Sequence, residues 1–323
     1  MGNQFSQAFP PAPKFTETAL SDLKGKVYIV TGANAGVGKE LARLLYSRNG
    51  TVYVGARSSE KAEAAIQWIK EQHPNSKGVL TYLHLDLNDL EGIKPSVEDF
   101  LSKEKRLDVL FNNAGVMVPP PGSKTKQGYE LQLGTNCVAP FLFTKLLTPI
   151  LIQTARTSPK GDVRVIWVSS SAAHIVSPKG GVNMENVDYK VDKSQQLKYG
   201  ISKGGNVLHA LEYQRRYGGD GVVSVALNPG NLASDLQRHL GAIQAFIISL
   251  MTYPAVNGAY TELFAGLAPE VAALKQNEWV IPFGRITSLR TDLAEAGKLK
   301  EDGGSENAKR FWDWTEEQVA RYV

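Results

Sequence analysis

Residues 199–203, Tyr-Gly-Ile-Ser-Lys, set a phenol and an ammonium four positions apart. On a helix that spacing puts Tyr199 and Lys203 on one face, their polar tips able to converge on one small volume. A free tyrosine, with a pKa near ~10, is a poor acid–base catalyst at neutral pH, and a neighbouring cation favours the phenolate and brings the group towards working range. Such a pair arises by chance in many chains, so it needs company. Upstream, RVIWVSSSAAH ends an apolar run in Ser169, Ser170 and Ser171. Three hydroxyls there can polarise a carbonyl oxygen, or simply satisfy backbone groups.

A second group of residues suits a phosphate. KVYIVTGANAGVGKELARLL, residues 26–45, passes from an apolar run through three glycines into an amphipathic pattern. Gly32 lets the chain leave the strand sharply, Gly36 removes a side chain where a pyrophosphate would approach, and Gly38 allows close packing of the helix that follows. The helix N-terminus then offers free N–H groups and a positive dipole end. The spacing G-x-x-x-G-x-G differs from the commoner G-x-G-x-x-G. About twenty residues on, VYVGARSSEK places Arg57 where an NAD-preferring site usually has a carboxylate, which favours a 2′-phosphate and hence NADP(H). Asp86, in HLDLND, suits the adenine end, whereas Asp89 is the better helix cap. LDVLFNNAGVM puts two asparagines and a glycine just after an apolar run, either a turn or a ligand contact at a strand's carboxyl end.

The elements that must position these groups alternate. Apolar runs at 27–31, 51–55, 79–85, 107–111, 163–168 and 222–227 read as buried strands, with helix-period segments between them. That order implies an α/β fold with a doubly wound parallel sheet built by right-handed crossovers. After residue 230 the character turns helical: HLGAIQAFIISLMTY is the most apolar stretch, EWVIPFG suits a further short strand, and ENAKRFWDWTEEQVARYV suits a closing helix. Residues 1–24 are polar and proline-bearing and read as an arm rather than an element. The rest, 25–323, reads as a single domain without internal repeats, with a substrate-covering region at about 235–270.

Composition narrows the class. Of 323 residues, 42% are hydrophobic and 21% charged, the ordinary balance of a globular protein, and the net charge of +4 is scattered without a basic stripe, which argues against nucleic acid. Cys137 is the single cysteine, so an intrachain disulfide and a cysteine-based zinc cluster are excluded, and no metal site is expected. No apolar stretch reaches the ~18 residues of a membrane span, and the start of the chain lacks a signal-peptide profile, so a cytoplasmic setting is expected. The opening MGNQFSQ has the form of a myristoylation acceptor at Gly2, and one acyl chain would give only weak, reversible membrane contact.

Six motifs in order, TGANAGVG, NNAG, LGTNCVAPF, WVSSS, YGISK and NPGNLAS, cover about residues 25–235. Together they resemble the short-chain dehydrogenase/reductase family, and within it the retinol dehydrogenase-like branch with many fungal relatives. The resemblance implies a Rossmann-type fold and a catalytic tetrad. Tyr199 matches the proton donor in carbonyl reduction and the base in oxidation, Lys203 the residue that binds the nicotinamide ribose and lowers the tyrosine pKa, and Ser170 the catalytic serine, with Ser171 the alternative. Asn136 matches the helix asparagine that holds a water in the relay to Lys203. The implied cofactor contacts are Gly32, Asn34, Gly36, Val37, Gly38, Arg57, Asp86, Leu87, Asn113, Ala114, Gly115, Tyr199, Lys203, Pro229, Gly230, Leu232 and Ser234, the last where threonine is more usual.

Two departures stand out. The 29-residue gap from Ser170 to Tyr199 is longer than the family's roughly dozen, so SPKGGVNMENVDYKVDKSQQLK must loop out beside the active site and shape its mouth. Ala35 stands where NADP-preferring members often carry a basic residue, which leaves that preference to Arg57. The expected activity is NADP(H)-dependent hydride transfer between nicotinamide and a carbonyl or alcohol carbon. The alternatives are an NADP(H) sensor without turnover, or the same tetrad used for isomerisation or dehydration. Ile243, Phe246, Ile247, Leu250, Met251 and Tyr253 suggest a lipophilic small-molecule substrate, and the resemblance implies a homodimer or homotetramer.

Overall fold

The computed structural model describes residues 2–232 and 252–323, with the side chains of residues 2–4 left aside. Among the described residues, eight strands form one sheet: β1 Val27–Thr31, β2 Thr51–Ala56, β3 Val79–His84, β4 Val109–Asn112, β5 Arg164–Val168, β6 Val223–Leu227, β7 Glu278–Ile281 and β8 Arg285–Ser288. Their order is β3-β2-β1-β4-β5-β6-β7-β8. The first seven run parallel, and β8 pairs with β7 antiparallel. The order reverses between β1 and β4, and the crevice beyond their carboxyl ends is where open α/β sheets bind ligands.

The strands are apolar on both faces because both faces are covered. Val27 and Ile29 of β1, Leu110 of β4 and Val165 and Trp167 of β5 belong to one buried cluster. Tyr28, Val30, Phe111, Ile166, Val168, Val225 and Leu227, from alternate positions, belong to the other. This two-sided burial is why the strands read as continuous hydrophobic runs rather than as alternating ones. The helices used below are α1 Gly2–Ala8, α2 Gly36–Ser47, α3 Ser59–Gln72, α4 Ile93–Lys103, α5 Leu131–Ala155, α6 Ala172–Ile175, α7 Gln195–Tyr217, α8 Ala255–Leu267, α9 Thr291–Ala296 and α10 Asn307–Val319. Helices α2 and α8 pack together and cover one face, whereas α7 and α10 lie on the other.

Three features differ from the sequence reading. The first 24 residues are not a bare arm: α1 forms ahead of Pro10, Pro11 and Pro13, and the Phe5 ring on it stands 5.1 Å from that of Phe9 just past its end. Helix propensity alone could not hold seven residues. Docking does: Arg285 Nη2 donates to Ser6 O at 2.7 Å and Asn228 Nδ2 to Gln7 Oε1 at 2.9 Å. Second, EWVIPFG supplies β7, but the turn after it returns as β8, an edge strand that the short apolar signal did not reveal. Third, α5 is long and apolar enough to cross a membrane, yet 78% of its apolar window is buried, which marks a core helix.

The long segment after Ser170 is pinned rather than free. Arg290 donates to the carbonyls of His174 and Pro178, each at 2.8 Å, Asp292 accepts from Gly180 N at 2.6 Å, and Asn307 Nδ2 donates to Gly180 O and Val182 O, each at 2.7 Å. The elements after β8 thus hold the segment in place.

Candidate active site

Tyr199 and Lys203 lie one turn apart on α7, just past the carboxyl end of β5. Lys203 is almost wholly buried, and its Nζ donates to Val168 O at 2.8 Å and stands 5.8 Å from the centre of the Tyr199 ring. Burial pulls the Lys203 ammonium down to about 8, against the opposing influence of Cys137 and Glu262. Burial pushes the Tyr199 phenol up, and the Ser170 hydroxyl is the polar group that pulls it the other way. Of the three serines, Ser170 is therefore the one beside the phenol. Ser169 is buried and donates to Lys203 O at 2.7 Å, which ties α7 to the end of β5. Ser171 begins the turn into α6.

Asn136 reaches the same volume from α5. It sits in a π-helical turn, Gly134–Val138, a widening common at functional positions. Its Oδ1 accepts from Val116 N at 2.8 Å, and its Nδ2 donates to Val116 O at 3.0 Å and to Ser202 Oγ at 2.9 Å. The side-chain amide is thereby fixed in one orientation. Gly115 marks where the two helices converge: a Cβ there would stand 3.2 Å from Asn136 Oδ1 and 3.4 Å from Lys203 Nζ.

The glycine loop closes over the end of β1. Gly32 and Gly36 take φ of +71° and +54°, a region that side chains disfavour. At Gly38 the reason is space, since a Cβ would stand 2.5 Å from Asn113 Nδ2. That amide donates to Thr31 O at 2.7 Å, and Ala114 N donates to Thr31 Oγ1 at 2.9 Å, locking the end of β4 to β1. The first turn of α2 has no side-chain cap and no acidic residue, because Ala35 occupies the cap position. Asn34 in this loop and Val37 in the first turn of α2 are partly buried.

The other sequence candidates are dispersed around this crevice. Arg57 is exposed just past β2. Asp86 accepts from Asn88 N at 3.0 Å, Leu87 is packed into the core, and Asp89 caps a short 3-10 turn. Pro229 O accepts from the Thr261 hydroxyl of α8, Gly230 has φ of +105° against Pro282 and Phe283, and Leu232 packs over Gly258. Ser234, Ile243, Phe246, Ile247, Leu250 and Met251 lie outside the described residues. Tyr253 packs edge-on against Phe283, with ring centres 5.2 Å apart. Among the described residues no cluster of metal-binding side chains occurs.

The family model described as short chain dehydrogenase matches residues 26–244. The chain belongs to the short-chain dehydrogenase/reductase family. A short-chain dehydrogenase/reductase of Phomopsis amygdali is 56% identical, across 99% of this chain and 97% of its own length. The short-chain dehydrogenase/reductase pkfC of Emericella nidulans is 48% identical across 96% and 98%. A crystal structure of a protein from Mycobacterium paratuberculosis has a TM-score of 0.67 at 27% identity, covering 95% of this chain and 97% of its own. The protein is thus an oxidoreductase of a family that uses a nicotinamide cofactor.

Within this short-chain dehydrogenase/reductase, sequence reasoning missed Glu262. It is fully buried on α8, neither carboxylate oxygen has a hydrogen-bond partner among the described residues, and burial pushes it up to about 8 while Lys203 pulls it down. The one readable signal was an acid alone in the otherwise uncharged AVNGAYTELFAGL. Gln7 and Asn228 were missed as well, since their contact spans 221 positions.

Proposed function

We propose that this protein is an NADP(H)-dependent oxidoreductase that interconverts a carbonyl and an alcohol on a small lipophilic molecule, in a cytoplasmic setting. The observation that carries the reading is the convergence of Ser170, Tyr199, Lys203 and Asn136 at the carboxyl end of β5, beside the crevice between β1 and β4. When bound, the nicotinamide supplies or accepts the hydride at the substrate carbon. The chain's own residues fit such a cofactor. The uncapped first turn of α2 presents N–H groups for the pyrophosphate, and Gly32 and Gly36 keep side chains away from it. Arg57 has no ion-pair partner among the described residues, which leaves its guanidinium available for a 2′-phosphate.

In reduction, Ser170 donates to the carbonyl oxygen as charge develops there, and Tyr199 passes its phenolic proton to that oxygen. Burial favours the protonated phenol in the free chain, the form this step needs. The Lys203 ammonium stabilises the phenolate left behind, and Asn136 is clamped to Val116 next to Gly115, where it comes near Lys203. Oxidation runs the same steps backwards.

The test is nicotinamide absorbance with purified protein, NADPH or NADH, and a panel of aromatic, aliphatic and isoprenoid ketones and aldehydes, beside Tyr199→Phe. Turnover that prefers NADPH and falls by at least about a thousandfold in Tyr199→Phe is expected. Equal turnover in the variant would refute the assignment.

A further inference from the structure

Next to the catalytic serine lies a shallow recess of about 60 Å³, open to solvent and lined by Gln7, Ala8, Ser171, His174, Ile175 and Asn231. That is far below the size of a whole-ligand pocket and leaves room for one small polar substituent of a larger molecule. One wall is α1, from the far end of the sequence. Its hydrogen bonds fix which amide atoms are engaged and which are left over. Gly230 N donates to Asn228 Oδ1 at 3.1 Å, so the other amide atom of Asn228, Nδ2, is the donor towards Gln7. Gln7 must answer with Oε1, and its Nε2, with two N–H groups, has no partner among the described residues.

His174 is fixed in the same way. Arg290 N donates to its Nε2 at 3.3 Å, so a neutral ring carries its proton on Nδ1. The ring stacks on Trp279 with centres 4.2 Å apart and planes 13° from parallel, which sets its orientation. Burial and the Arg290 charge bring His174 down to about 4, so the ring stays neutral at working pH.

We infer that α1 completes a polar subsite in which the Gln7 Nε2 and His174 Nδ1 N–H groups bind a second oxygen of the substrate, remote from the reacting carbonyl. The substrate class is then an oxygenated lipophilic ketone or alcohol, a hydroxylated or multiply oxidised ring compound, rather than a bare hydrocarbon ketone. This rests on the oxidoreductase reading above and narrows it. A donor pair left facing an analogue without that oxygen loses its hydrogen bonds to water without replacement, which is how polar pockets discriminate strongly.

The experiment compares α-tetralone with its ring-hydroxylated derivatives in the wild-type protein, Gln7→Ala and Gln7→Glu, with NADPH binding and thermal midpoint measured alongside. The hydroxylated ketone is expected to lose about tenfold or more in kcat/KM, mainly through KM, in both variants, because glutamate offers only acceptors there. The plain ketone and NADPH affinity should stay within about twofold. An unchanged ratio between the two ketones, or an equal fall for both, overturns the inference while leaving the oxidoreductase reading intact. A second measurement does not depend on turnover. Cys137 is buried, and burial pushes its thiol up, so Gln7→Cys supplies the one reactive thiol among the described residues for N-ethylmaleimide. Slowing of that labelling by about tenfold with NADP⁺ and hydroxytetralone supports the subsite, and an unchanged rate counts against it. Absence of turnover with every carbonyl in the wild-type protein would refute the oxidoreductase reading instead.

Discussion

Glu262→Gln is expected to stabilise this protein at neutral and alkaline pH. The carboxylate is fully buried, both oxygens are unpartnered among the described residues, and burial carries it from 4.5, its unfolded value, up to about 8. The folded chain therefore binds one more proton than the unfolded chain between those values, and stability is full below the lower value and falls as pH rises towards the upper. The interval is roughly 3.5 pH units at ~1.4 kcal/mol each, a ceiling of about 5 kcal/mol. Glutamine keeps the shape and cannot ionise, so the variant escapes that loss. At about pH 8 it should be more stable by about 3–5 kcal/mol, a rise of roughly 6–10 °C in the thermal midpoint, and near pH 5 the two proteins should nearly coincide. Urea unfolding and thermal scans across that range make the comparison. A stability difference that does not change with pH would refute the argument. Above about pH 8, where Glu262 ionises, the same substitution removes a charge that supports the Lys203 ammonium, so the alkaline limb of kcat/KM should move to lower pH.

Two further expectations concern the cofactor crevice. Arg57→Ala should cut the preference for NADPH over NADH by about tenfold to thirtyfold: an exposed guanidinium beside a doubly charged phosphate at ~4 Å is worth about 2 kcal/mol in water. The effect should shrink as salt rises, and binding titrations with both cofactors would expose an error if their affinities fell together. Gly115→Ala should lower kcat by about tenfold, because the new methyl must displace Asn136 or Lys203 by a few tenths of an ångström. The thermal midpoint should move only a few degrees, and steady-state kinetics at saturating NADPH would reveal an unaffected kcat if the two side chains do not meet functionally.

The sequence determined the elements and the local half of the site. Strand hydrophobicity, the three glycines and the four-residue spacing of Tyr199 and Lys203 are patterns within one segment, set by strand and helix geometry, and they stand in the structure where those periods put them. The motif order likewise carried the family. The tertiary structure alone decided what segments distant in sequence do to one another. Sheet order brings Gly115 between Asn136 and Lys203, and β7 and β8 turn Arg285 towards α1, so that Gln7 meets Asn228 across 221 positions. Glu262 reads as a single acid on an apolar helix, and only packing reveals that no partner reaches it among the described residues. Such contacts leave no period in the chain, because burial and charge depend on what other segments bring to the same volume.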